Sequence, residues 1–122
     1  MTRILVIDDE EQIRQLLRIM LEKDGYGVID AADGEDGLQL FRRERPDLVI
    51  TDLIMPKKDG LSTIMELKQE FPAVKIIAVS GGGAIEPKRY LSLAQGLGAL
   101  RVLYKPIMRD ELITMVRQLL AQ

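Results

Sequence analysis

Five short apolar runs, each closed by polar or turn-forming residues and followed by a stretch of helical periodicity, constrain this fold more than any other feature. The runs are Ile4 to Ile7, Tyr26 to Asp30, Asp47 to Thr51, Lys75 to Val79 and Arg101 to Tyr104. A short apolar run bounded by turn signals suits a strand covered on both faces. Between the runs, apolar residues recur three and four apart, which marks one face of a helix. The first such set is Ile13, Leu16, Leu17, Met20 and Leu21; the second is Leu38 with Phe41. The third is Leu61, Ile64 and Met65, with the stem of Lys68. The fourth is Tyr90, Leu93, Ala94 and Leu97, and the last is Leu112, Met115 or Val116, Leu119 and Leu120. Gly25, Pro46, Phe71-Pro72 and Gly98 punctuate the ends, while Asp33-Gly34 and Pro87 open helices. Alternating strand and helix implies a parallel sheet with helices on both faces, an α/β domain occupying residues 1–122.

The residue inventory narrows the chemistry. The chain has no Cys and no His, which excludes thiolate metal sites and removes the commonest general base. A metal here is therefore a hard cation held by oxygen, with Mg2+ the default. The formal net charge of −2 leaves no basic footprint, so direct nucleic-acid binding is not expected. No apolar run approaches the roughly 18 residues of a membrane span, and a cytoplasmic location is expected.

The stretch Asp47 to Gly60, DLVITDLIMPKKDG, carries the densest signal. Pro56 cannot donate to a sheet ladder, so the strand ends before it and Asp52 stands at its carboxyl end. Ligands bind at that edge of open α/β sheets. Asp8 and Asp9 follow the first run, Ser80 the fourth and Lys105 the fifth. A parallel sheet brings all of these to one edge, and the second run, which is followed by Ala31-Ala32 and contributes nothing similar, belongs at the outside. Three carboxylates in proximity raise one another's pKa, and a divalent cation relieves that. One of them can then act as a nucleophile toward phosphorus. Lys105 and Mg2+ would stabilise charge on the transferring group, and Ser80 can donate to it once attached. An ionised carboxylate needs no general base, so the lack of His fits.

Each piece alone has a plainer reading. The acids at 8–11 suit a helix N-terminus, Asp52 suits a turn, and Ser80-Gly81 and Lys105-Pro106 suit loops. The conjunction at four strand ends outweighs them.

With those residues in view, the chain resembles the response-regulator receiver domains of two-component phosphorelays. The matching segments are ILVIDDE at 4–10, AADGEDGL at 31–38, DLVITDLIMPKKDG at 47–60, VSG at 79–81 and LYKPI at 103–107. The resemblance implies a flavodoxin-like (βα)5 doubly wound sheet of strand order 2-1-3-4-5. It implies Asp52 as phosphoacceptor, with Asp8, Asp9, Asp52 and the Ile54 backbone carbonyl around Mg2+. It implies Ser80 as the switch hydroxyl, Lys105 paired with the phosphoryl group, and a cis Lys105-Pro106 bond. The donor would be a sensor histidine kinase or a histidine phosphotransfer protein. The output would be an unidentified protein target engaging the fourth helix, fifth strand and last helix. Such a domain is a signalling receiver rather than an enzyme, although it takes part in its own phosphorylation and autodephosphorylation. A single-domain regulator is expected, with the receiver of a larger regulator as the alternative.

The chain departs from the family pattern at three places. Val102 stands where relatives carry a switch Tyr or Phe, and Tyr104 lies two residues on, on the same face by strand alternation. Tyr104 reads as a surface tyrosine, with takeover of the readout as the sharper alternative. Gly81-Gly82-Gly83 lengthens the loop after the fourth strand and predicts mobility that phosphorylation would quench. Lys57-Lys58 reads as solvated charge, with steering of an anionic donor as the sharper alternative. Three other classes compete. A hydrolase with an aspartyl-phosphate intermediate would want an acid two residues after Asp52, where Ile54 stands. A nucleotide-binding module would want glycines after the first strand, where acids stand. An unphosphorylated interaction domain would not keep the full acid set.

Overall fold

The computed structural model describes residues 1–55, 58–81 and 87–122, with the backbone alone at 87, 88, 90 and 91. Its strands are β1 (Arg3–Ile7), β2 (Gly27–Ala31), β3 (Leu48–Asp52), β4 (Ile76–Ser80) and β5 (Arg101–Tyr104). Its helices are α1 (Glu11–Lys23), α2 (Gly34–Glu44), α3 (Gly60–Glu70), α4 (Pro87–Leu97) and α5 (Arg109–Leu120). The strands form one parallel sheet in the order β2-β1-β3-β4-β5, the flavodoxin-like order.

Strand alternation divides the interior into two cores. Ile4, Val6, Leu48, Ile50, Ile77 and Val79 face Leu17 and Leu21 of α1 and Leu112, Val116 and Leu119 of α5. Leu5, Ile7, Val49, Ile76 and Ala78 face Leu38 and Phe41 of α2, Ile64 and Leu67 of α3 and Ala94 of α4. A strand between two helical layers must be apolar at every position, which is why the central runs do not alternate with polar residues. Every residue of β3 and β4 is buried, and these two strands run one residue beyond the sequence reading, taking in Asp52 and Ser80.

The helix ends follow local chemistry. The Asp33 and Asp59 side chains cap α2 and α3, accepting from the Asp36 and Ser62 amides at 2.9 and 2.8 Å. Gly25 stops α1 with a φ of +93°, and Gly98 follows α4 at +130°.

Among the described residues, three helical side chains expected inward face solvent instead; that of Tyr90 lies outside the described residues. Leu16, Met65 and Leu93 are 39%, 40% and 49% exposed. Their neighbours Leu17, Ile64 with Leu67, and Ala94 take the inward positions. Both Met115 and Val116 are buried, together with Ile113. Among the described residues, no helix is long and apolar enough to cross a membrane.

Candidate functional site

The polar ends of β1, β3, β4 and β5 meet at the carboxyl edge of the sheet. β1 lies between β2 and β3, so its carboxyl end opens beside that of β3, at the point where the winding of the sheet reverses. There one carboxylate oxygen from each of Asp8, Asp9 and Asp52 lies within 4.8 Å of the others. Asp8 and Asp52 are 2% and 5% exposed, whereas Asp9 is open to solvent.

Each acid is placed by backbone geometry. Asp52 is the last residue of β3 and pairs with Val79 of β4. Its Oδ1 accepts from the Ile54 amide at 3.4 Å. The first residue of α3 crosses directly over this strand end: a Cβ on Gly60 would lie 2.1 Å from the Asp52 carbonyl oxygen and 2.6 Å from the Leu53 Cα. Only glycine allows that approach. On the β1 side, the Asp8 amide donates to the Ala31 carbonyl at 3.1 Å, and its Oδ1 accepts from the Glu10 amide at 2.9 Å. This Asx-type turn carries the chain into α1.

Lys105 closes the site from β5. Its Nζ lies 3.2 Å from Asp52 Oδ2, 3.5 Å from Asp8 Oδ2 and 3.5 Å from Glu10 Oε1. The Lys105-Pro106 bond is cis, as the resemblance implied. The Lys105 amide donates to the Ser80 carbonyl at 2.9 Å, which ties the ends of β4 and β5 together. Ser80 is buried one residue beyond the Asp52–Val79 pair.

The electrostatics of this edge are those of crowded acids. Burial is the main force pushing the Asp8 carboxyl up to about 6, the Glu10 amide pulls against it, and the charge on Asp52 adds to it. Burial depresses the Lys105 ammonium, but Asp52, Asp8 and Glu10 together outweigh burial and hold it above its ordinary value. One ammonium shared by three acids leaves negative charge uncompensated. That donor set, all oxygen and short of positive charge, fits a hard divalent cation.

The structure thus brings Asp8, Asp9, Asp52 and Lys105 into contact range and sets Ser80 on the adjoining strand end. Ile54 is 51% exposed. Val102 packs against the core on the α4 side, and Tyr104 is 52% exposed at the end of β5. Lys58 is neither free loop charge nor a free steering cation. Its ammonium bridges Glu66 of α3, with Glu35 of α2 at 3.9 Å. Lys57 and the glycines at 82 and 83 lie outside the described residues. The sequence reading treated Glu10 only as helix-terminal charge. Its position one residue beyond the acid pair was the available signal.

Residues 4–117 match the response regulator receiver domain model. The chain is 42% identical over 120 residues to the probable transcriptional regulator ycf27 of Porphyridium aerugineum, covering 97% of this chain and 48% of that protein. It is 37% identical over 120 residues to the transcriptional regulatory protein CpxR of Escherichia coli, covering 98% and 50%. The chain spans about half the length of the curated relatives it matches. Among solved structures, a receiver domain protein from Clostridium thermocellum superposes with a TM-score of 0.91 at 33% identity, covering 99% and 95%. The response regulator TrrA from Thermotoga maritima, in complex with Mg2+-BeF, superposes with a TM-score of 0.86 at 36% identity, covering 98% and 99%.

Proposed function

This chain belongs to the response regulator receiver domain family, and from that premise we propose that Asp52 is the residue that accepts a phosphoryl group. The observation that carries the reading is the contact of Asp52 with Lys105 inside a cluster completed by Asp8 and Asp9. An Asp52 carboxylate oxygen attacks phosphorus, an O–P bond forms, and the P–N bond of the donor phosphohistidine breaks. The leaving imidazole takes its proton from solvent. Lys105 is already oriented toward Asp52 and moves with the charge onto the phosphoryl oxygens. Ser80, at the neighbouring strand end, donates its hydroxyl to the attached group. Asp8, Asp9, Asp52 and the Ile54 carbonyl would hold Mg2+, which would supply positive charge against the crowded carboxylates and the charge that develops during transfer.

The donor is a sensor histidine kinase or a histidine phosphotransfer protein. Hydrolysis of the acyl phosphate within the same site returns the domain to its resting state. The output surface is the α4–β5–α5 face, where Leu93, Tyr104 and Met108 are exposed. Output runs through protein contact, since the domain itself carries no basic footprint. The 122 residues act as one receiver domain. Relatives of about twice this length, named as transcriptional regulators, favour a second reading of its context: the receiver of a larger regulator, whose other segment contacts DNA.

Titration with beryllofluoride in the presence of Mg2+, followed by amide chemical shifts, tests the site. Saturable shifts at Asp52 and Lys105 are expected in the wild type and none in Asp52→Asn. Saturation in Asp52→Asn would contradict the assignment, and no response in either protein would mark an unphosphorylated interaction domain.

A further inference from the structure

Arg14 in α1 makes contacts whose purpose the assigned site does not cover. Its side chain is only 17% exposed. Nη1 donates to the backbone carbonyl of Asp8 at 2.9 Å, and Nε donates to Asp30 Oδ2 at 3.1 Å. Asp30 lies on β2, the edge strand whose own end brings no acid to the cluster. Its other oxygen accepts from Arg18 Nη2 at 3.2 Å, while Arg18 Nη1 donates to the Val28 carbonyl at 2.8 Å.

The chain from Asp30 through Arg14 ends on one peptide bond, that between Asp8 and Asp9. A peptide unit is planar, so fixing the direction of its carbonyl fixes its amide and the next Cα as well. The Asp8 amide and side chain are already held by Ala31 and Glu10. The carbonyl held by Arg14 is the remaining handle, and it governs where the exposed Asp9 presents its carboxylate. A guanidinium suits this task because its donors point in fixed, divergent directions, so one acceptor positions it for the other. An exposed salt bridge alone would contribute little. This one is mostly covered, and one of its two acceptors is the backbone of the cluster.

We infer that Arg14 is a positioning residue for the cation site, orienting the Asp8–Asp9 peptide from an anchor on Asp30 so that both carboxylates converge on Asp52. The inference rests on the reading of that cluster as a Mg2+ site. Arg18 separates positioning from stability, because it shares Asp30 with Arg14 but reaches Val28 instead of Asp8.

The test is a Mg2+ titration of the wild type, Arg14→Met, Arg14→Lys and Arg18→Met, followed by calorimetry and by the amide shifts of Asp9 and Asp52. Melting temperatures are measured alongside in chelator. Both Arg14 variants are expected to bind Mg2+ about tenfold more weakly, the usual effect of losing a group that orients a ligand. A lysine cannot span both acceptors, so Arg14→Lys does not rescue and carries the test if Arg14→Met folds poorly. Arg18→Met is expected to keep near-wild-type affinity while melting lower. Wild-type affinity in either Arg14 variant, or equal weakening in Arg18→Met, would overturn the inference. Absence of Mg2+ uptake by the wild type would instead sink the reading of the cluster beneath it.

Discussion

Asp8 shows how much a single side chain carries. It is 2% exposed, faces Asp52 and shares one ammonium with Asp52 and Glu10. Its carboxyl stands at about 6, raised from 3.8 by burial, so the folded protein holds this proton more tightly than the unfolded chain does. The contribution to stability is therefore complete below the ordinary value and disappears as pH rises through about 6. Two units correspond to about 3 kcal/mol, at about 1.4 kcal/mol per unit. In cation-free protein above about pH 6, Asp8→Asn should melt higher than the wild type, and the difference should shrink toward acid. Mg2+ should close the gap by raising the wild type alone. Melting curves across pH, with chelator and with Mg2+, check this, and a pH-independent difference would show that Asp8 is not the group responsible.

At the scale of elements, the junction of β3 with α3 is the tightest point of the site. Any side chain at Gly60 would meet the Asp52 carbonyl and the Leu53 Cα, which are backbone atoms that no rotamer change can move away. Gly60→Ala should cost about 1–3 kcal/mol or more, as overpacked interiors do. It should also weaken beryllofluoride binding, because the strand end that moves carries Asp52. Thermal melts and the amide-shift titration measure the two effects, and an unchanged titration would mean that Asp52 tolerates the displacement. The sequence displayed Asp59-Gly60 as a turn signal, but close approach leaves no mark in a single sequence. Helix facing was legible only to the nearest residue for a similar reason. Adjacent apolar residues such as Leu16 with Leu17, or Ile64 with Met65, lie about 100° apart at the two margins of one stripe, and apolarity does not rank them. Packing against the strands does, burying Leu17 and Ile64.

Across the whole molecule, two cores grip one sheet and leave its carboxyl edge to polar chemistry. The fold and most of the site were legible because uniformly apolar runs identify buried parallel strands, and parallel strands must gather their ends on one edge. Asp8, Asp9, Asp52 and Lys105 could therefore be grouped before any distance was known. Arg14, Glu10 and Lys58 could not, since an arginine, a glutamate or a lysine near a loop reads as solvent-facing until its partners are placed. In the proposed function, this edge is a phosphoryl carrier centred on Asp52. Intact mass after incubation with a small acyl phosphate donor tests that most directly. The wild type with Mg2+ should gain one phosphoryl mass, and both Asp52→Asn and the wild type in chelator should gain none. A phosphoryl adduct on Asp52→Asn equal to that on the wild type, or no adduct on the wild type with Mg2+, would contradict it.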